Sequence, residues 1–167
     1  MITLKSVKTK FLTKVIILKI CKLKNSHWEK GINSQIRFFK RNCKPNDFNN
    51  LLYFKKNLIG YTLLRRRKFY EGNKKKNYFY FDTLVINKKF RDLKLSVFLM
   101  NFNNYIIKKN NFNSFLICKK KLINFYKKFD WKLENKKKIK IIGLKKNKNI
   151  MSYNFKKKIL KKIILKI

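Results

Sequence analysis

Between Tyr78 and Ile86 the side chains alternate in two registers. Tyr78, Tyr80, Asp82, Leu84 and Ile86 fall on one face of an extended chain, and Phe79, Phe81, Thr83 and Val85 on the other. Both faces are mostly apolar, so the spacing predicts a central strand covered on both sides. After the polar segment Asn87 to Lys89 the period changes. Leu95, Phe98, Leu99, Phe102 and Ile106 stand at helical spacing, predicting an amphipathic helix that starts near Asp92 and runs to about Lys109. A strand feeding a helix N-terminus is a ready anion site, because the first-turn N–H groups lack intrahelical partners and the helix dipole favours negative charge. Arg91 sits at the head of that helix and can pair with phosphate oxygens.

The rest of the chain is read the same way. Residues 1–10 are expected to fray. Val15 to Leu23 is rich in β-branched residues and reads as a first strand. Sparse apolar positions from Trp28 to Phe39, broken by Gly31, predict one or two short helices, the second near Ser34 to Arg41. Pro45 and Asn46 mark a turn. Phe48 to Phe54 and Leu58 to Arg66 read as strands joined by a hairpin at Lys55 to Asn57, with Gly60 placed for a bulge or for close packing. Glu71 to Lys76 reads as a polar loop and Asn110 to Asn113 as a turn. Ser114 to Lys119 reads as a buried strand, Leu122, Phe125, Tyr126 and Phe129 as a short helix, and Trp131 to Leu133 and Lys138 to Leu144 as two closing strands. The order β-α-β-β-β-α-β-α-β-β predicts an α+β (mixed α/β) domain over residues 1–152, a central mixed sheet of about seven strands flanked by helices. In the tail, 153–167, Ile159, Leu160, Ile163, Ile164 and Ile167 share one helical face with lysines opposite. Such a basic amphipathic helix docks on its own domain, frays, or lies on an anionic membrane.

Charge changes this picture. The chain carries 46 Lys+Arg against 7 Asp+Glu, a formal net of +39. That balance points to non-specific polyanion binding, and with 16% aromatic residues it raises the alternative of a nucleic-acid- or ribosome-associated protein without catalytic activity. Two features argue the other way. Six of the basic residues are arginine, whereas phosphate binders favour the arginine fork. The abundant Lys, Asn, Ile and Phe also share A/T-rich codons, so composition alone can produce the charge. Cys21, Cys43 and Cys118 lie far apart, no Cys-x-x-Cys pair is present and there is one histidine, so neither disulfides nor a metal are expected. The longest apolar runs fall far short of the roughly 20 residues of a membrane span. Lysines at 5, 8, 10 and 14 interrupt any signal sequence. The expectation is a cytoplasmic protein with no transmembrane segment.

Four pieces, in order, resemble the GCN5-related N-acetyltransferase (GNAT) superfamily over roughly Val15 to Leu144. Gly60-Tyr61-Thr62-Leu63-Leu64 resembles the family's Gly-Tyr-x-x-Leu strand. Leu84-Val85-Ile86 followed by Asn87-Lys88-Lys89-Phe90-Arg91 resembles Leu-x-Val-x-Pro-x-Tyr-Arg. Arg91-Asp92-Leu93-Lys94-Leu95-Ser96 stands where the family has Arg/Gln-x-x-Gly-x-Gly/Ala, with Lys94 in place of the glycine and Ser96 in place of the small residue. Asn124-Phe125-Tyr126-Lys127-Lys128-Phe129-Asp130-Trp131 resembles x-Phe-Tyr-x-Lys-x-Gly-Phe. The resemblance implies acetyl transfer from acetyl-CoA to a primary amine of a small molecule, an amino sugar being one candidate. It places the pantetheine arm along Leu84, Val85 and Ile86, and the pyrophosphate on Arg91, Asp92, Leu93, Lys94, Leu95 and Ser96.

Acetyl transfer needs the amine deprotonated and the leaving thiolate protonated. By the resemblance, Asp82 stands where many members place a carboxylate base; the alternative is an acid paired with some of the many cations. Tyr126 matches the tyrosine near the CoA sulfur, a candidate general acid; the alternative is a core aromatic, since it belongs to an apolar helical stripe. His27, beside Trp28 and Glu29, lies where the family forms its acceptor site, or is simply a surface histidine. Cys118 is expected to be an inert thiol of a buried strand.

Overall fold

The computed structural model describes residues 1–135, 137–142, 148–155 and 163–166. Among them lie strands β1 (Ile2–Lys8), β2 (Phe48–Phe54), β3 (Asn57–Glu71), β4 (Lys74–Ile86), β5 (Asn113–Cys118), β6 (Lys132–Leu133), β7 (Ile139–Ile142), β8 (Asn149–Tyr153) and β9 (Ile163–Lys166). The α-helices are α1 (Lys14–Asn25), α2 (Ile32–Asn42), α3 (Leu95–Lys109) and α4 (Ile123–Lys127). Hydrogen-bonded neighbours run β1-β2-β3-β4-β5-β8-β6, with β9 pairing both β3 and β7. The sheet is mixed: β4–β5 and β7–β9 are parallel, whereas β1–β2, β2–β3, β5–β8 and β6–β8 are antiparallel. The chain forms two compact units, one of residues 1–65 and 83–103, the other of residues 66–82 and 104–167.

In the first unit, α1 and α2 cover one face of the strands. Ile20, Cys21, Leu23 and Phe39 pack with Leu51, Tyr61, Leu63 and Val85. Leu95 and Leu99 of α3 form a separate core with Leu52, Ile59 and Ile86. A buried polar chain runs through this second side. The Ser6 hydroxyl donates to Asn50 Oδ1 at 2.7 Å, and Asn50 Nδ2 and the Thr62 hydroxyl both donate to Asn103 Oδ1, at 3.1 and 3.0 Å. Asn103 therefore ties α3 to the strands at a position the apolar stripe of the sequence did not show. Phe98, counted in that stripe, is 53% exposed instead.

In the second unit, Phe69, Tyr78, Tyr80 and Phe115 build an aromatic core with Ile139, Ile150, Ile163 and Leu165. Asn104, at the C-terminal part of α3, donates from Nδ2 to Phe129 O at 3.0 Å and accepts the Trp131 indole N–H at 3.1 Å. Trp131 is 1% exposed, so this amide pairs a donor that water cannot reach.

Several expectations are corrected. Residues 15–23 belong to helix α1, not a strand. Thr13 caps α1 by accepting from Ile16 N–H at 3.3 Å, and Ile16, Ile17, Ile20, Cys21 and Lys24 line its inner side at helical spacing. β-Branched content was outweighed by that period. The N-terminal residues do not fray: Ile2 to Lys8 pair with β2 in continuous register, Ile2 opposite Phe54 and Lys8 opposite Phe48. The loop expected at 71–76 is a tight hairpin, β3 ending at Glu71 and β4 starting at Lys74. Gly72 supplies its positive φ of 60°. Ile163 to Lys166, expected in a helix, form β9 opposite Glu71 to Phe69 of β3. Ile159, Leu160 and Ile167, and Gly143 and Leu144 of the second closing strand, lie outside the described residues.

Candidate functional site

The turn after β4 is built from its own residues. Asn87 N–H donates to Ile59 O at 2.7 Å, closing the strand, and Asn87 Oδ1 accepts from Lys89 N–H at 3.0 Å, opening a 3₁₀ turn over Lys88–Leu93. Phe90 folds back onto Phe54, ring centroids 5.7 Å apart, and anchors the turn to the apolar core. The helix expected from Asp92 thus begins at Leu95, after a residue in the left-handed conformation: Lys94 has φ 51° and ψ 22°. That is the position where the resemblance puts glycine. Lys94 O accepts Val97 N–H at 2.9 Å, so the helix starts directly from the left-handed residue.

Arg91 is held at the end of β4. Its Nε donates to Ile86 O at 3.4 Å and a terminal N–H group lies 2.6 Å from His27 Nδ1. Arg91, Asp92, Leu93 and Lys94 are exposed, Ser96 is half-buried and Leu95 is buried. Leu84 is half-buried, while Val85 and Ile86 belong to the two cores of this unit. The structure therefore brings His27, remote in sequence, to Arg91 beside the end of β4.

A cavity of about 430 Å³ opens in the same unit, walled by Lys19, Lys22, Leu23 and Ser26 at the end of α1, by Asn57, Leu58 and Ile59 at the start of β3, and by Asn87 and Phe90. Its lining combines four apolar side chains with two lysines, a hydroxyl and two amides, a mixture also found in small-molecule sites. Sequence reasoning missed it because it read residues 15–23 as a strand, which puts Lys19 and Lys22 on no common surface with Ser26.

Asp82 and Tyr126 lie in the second unit. Asp82 is half-buried on β4. Pairing of β4 with β5 runs from Tyr78 opposite Asn113 to Phe81 opposite Leu116, so Asp82 is the first residue beyond that register. Tyr126, on α4, packs edge-on against Phe81 at 6.1 Å and lies 6.4 Å from Trp131. Burial, with a smaller contribution from the neighbouring Cys118, pushes its hydroxyl above the ordinary tyrosine range. The phenol stays protonated at neutral pH and can donate a proton but not take one. Burial also pushes the Cys118 thiol up, which leaves little thiolate. Among the described residues no three His, Cys, Asp or Glu side chains come together in a way that could hold a metal, and no helix is long and apolar enough to cross a membrane.

Compared by sequence, the chain matches no family model and no curated protein. Compared by structure, it has the fold of the GNAT N-acetyltransferases. An acyl-CoA N-acyltransferase from Pseudomonas aeruginosa superposes with a TM-score of 0.68 over 91% of this chain and 99% of its own, at 11% identity. ElaA from Escherichia coli does so at 0.66 over 91% and 99%, also at 11% identity. The PaiA N-acetyltransferase from Thermoplasma acidophilum, solved in complex with coenzyme A, gives 0.59 over 92% and 99%, at 16% identity.

Proposed function

We propose that this chain is an acetyl-CoA-dependent N-acetyltransferase acting on a primary amine of a small molecule. The observation that supports this most is the backbone at Lys94. A left-handed φ costs an L-residue about 1–2 kcal/mol, and an ordinary helix entry has no need of it. The turn keeps the conformation that glycine would take, although the glycine itself has been replaced. In this reading a left-handed residue directly before α3 serves to turn the leading amides of the helix toward a diphosphate. Fold alone does not settle chemistry, so the turn carries the argument and the likeness to solved acetyltransferases adds to it.

In this reading the backbone of Leu84, Val85 and Ile86 pairs with the pantetheine arm. The amides from Arg91 to Ser96, with the Arg91 guanidinium, hold the diphosphate. Asp82 accepts the proton of the attacking amine. The amine nitrogen bonds to the thioester carbon, the carbon–sulfur bond breaks, and Tyr126 protonates the departing thiolate. The likenesses do not narrow the acceptor to an amino sugar, and beyond net charge no particular observation favours a nucleic-acid-binding role.

Titration calorimetry with acetyl-CoA in low salt tests the first step, and absence of binding at millimolar ligand would overturn the proposal. Tyr126→Phe is then expected to lower turnover about a hundredfold, in line with loss of a general acid, with CoA affinity little changed. Equal turnover of the variant and the parent would remove Tyr126 from the mechanism.

A further inference from the structure

The single histidine of the chain sits on the connection between α1 and α2, 64 residues before Arg91, and the two side chains meet at 2.6 Å. A guanidinium only donates and is always charged. Nδ1 of His27 must therefore present its lone pair, which fixes the imidazole as neutral with the proton on Nε2. The second tie of Arg91, to Ile86 O, bonds the same guanidinium to the end of β4. These two contacts use two N–H donors and leave the rest of the fork available. Without His27, exposed Arg91 keeps only the 3.4 Å contact of its Nε with Ile86 O.

We propose that His27 is a positioning residue: it holds the Arg91 guanidinium against the end of β4, so that the remaining donors are already oriented for the diphosphate of an acyl-CoA. This rests on the acetyltransferase reading above. Preorganisation of this kind raises affinity by removing the ordering cost from the binding step. The groups around His27 fit a neutral ring. Arg91 and Lys88 face it from the turn, Trp28 packs edge-on at 4.5 Å, and the Glu29 carboxylate is drawn to Lys88 at 3.4 Å. Burial first, then the charges of Arg91 and Lys88, keep its pKa below the ordinary 6.5.

The test is a double-mutant cycle read by titration calorimetry with coenzyme A on the full chain in low salt. His27→Ala is expected to bind about three- to tenfold more weakly, the scale of one ordinary hydrogen bond at an exposed pair. His27→Asn, whose amide oxygen can stand in for Nδ1, should recover most of that loss. In the Arg91→Ala background, His27→Ala should cost nothing further. One imidazole per chain makes an NMR check unambiguous: Arg91→Ala should raise the His27 titration midpoint toward 6.5. If the parent binds coenzyme A but His27→Ala binds equally well, or loses the same factor in both backgrounds, the positioning role is overturned and the acetyltransferase reading stands. If the parent does not bind, both fall.

Discussion

Gly60 is the position where one methyl group tests the most of this structure. β2 and β3 slip by one residue there: Leu52 faces Gly60 and Tyr53 faces Leu58, so Ile59 is the extra residue of a bulge. A Cβ at Gly60 would stand 2.8 Å from Ile86 Cδ1, 3.0 Å from Leu52 Cδ2 and 3.1 Å from Leu52 Cβ. The first two are side-chain ends and can yield; the third cannot without moving β2. Overpacking of this kind costs about 1–3 kcal/mol, and alanine recovers about 0.5–1 kcal/mol through a less flexible unfolded chain. Gly60→Ala should therefore lose about 1–2 kcal/mol, a fall of about 2–8 °C in Tm for a chain of this size. Calorimetric melts of four proteins decide it: parent, Gly60→Ala, Ile86→Val and the double variant. Ile86→Val deletes the Cδ1 atom that clashes most, so the alanine should cost less in that background by about 0.5–1 kcal/mol. Gly72→Ala is the control, since nothing lies within 4 Å of its Cβ and its strain is confined to a φ of +60°. Its cost should be independent of Ile86. A Gly60→Ala protein that melts at or above the parent, or loses the same amount with and without Ile86 Cδ1, would refute the packing at the end of β4. The consequence reaches the candidate site, because Ile86 O is the acceptor that Arg91 Nε uses.

Three further outcomes are expected. Lys94→Gly should stabilise the fold by about 0.5–1 kcal/mol, seen as a higher urea midpoint, the left-handed penalty less the added freedom of glycine in the unfolded chain; a loss of stability would mean that Lys94 is not strained. Asn104→Ala leaves the Trp131 indole N–H and Phe129 O buried without their partner and should cost about 2–4 kcal/mol, visible in the same melts and in the tryptophan emission; a change below about 0.5 kcal/mol would refute the buried pairing. Iodoacetamide at pH 8, read by mass spectrometry, should label half-buried Cys43 before Cys21 and Cys118, because burial raises both of those thiols and lowers their thiolate fraction; early labelling of Cys118 would contradict its placement.

Strands β2 and β4 and the turn after β4 were legible because their signals are local. Phe48 to Phe54 is β2 to the residue, Tyr78 to Ile86 lies within β4, and the polar break at Asn87 caps the turn with its own side chain. Alternation and helical period are properties of a short window, and side chains within it decide the conformation. Where a window carried two messages the reading failed. Val15 to Leu23 had β-branched residues and a helical period together, and the helix formed because Thr13 caps it and one side packs on Leu51, Tyr61 and Leu63.

What sequence alone determined about this protein is its mixed sheet with covering helices, the strand–turn–helix where anions are expected, and the residue types available for proton transfer. What only tertiary structure decided are the pairings across distance. β1 and β9 become strands because β2 and β3 offer backbone partners, not because of any strong period of their own. Asn103 becomes a core residue because Asn50 and Thr62 converge on it. His27 acquires a role only once the α1–α2 connection meets Arg91. Local steric preference acts over a few residues, whereas hydrogen-bond satisfaction and burial depend on which distant segments arrive together, and no window of the sequence contains that information.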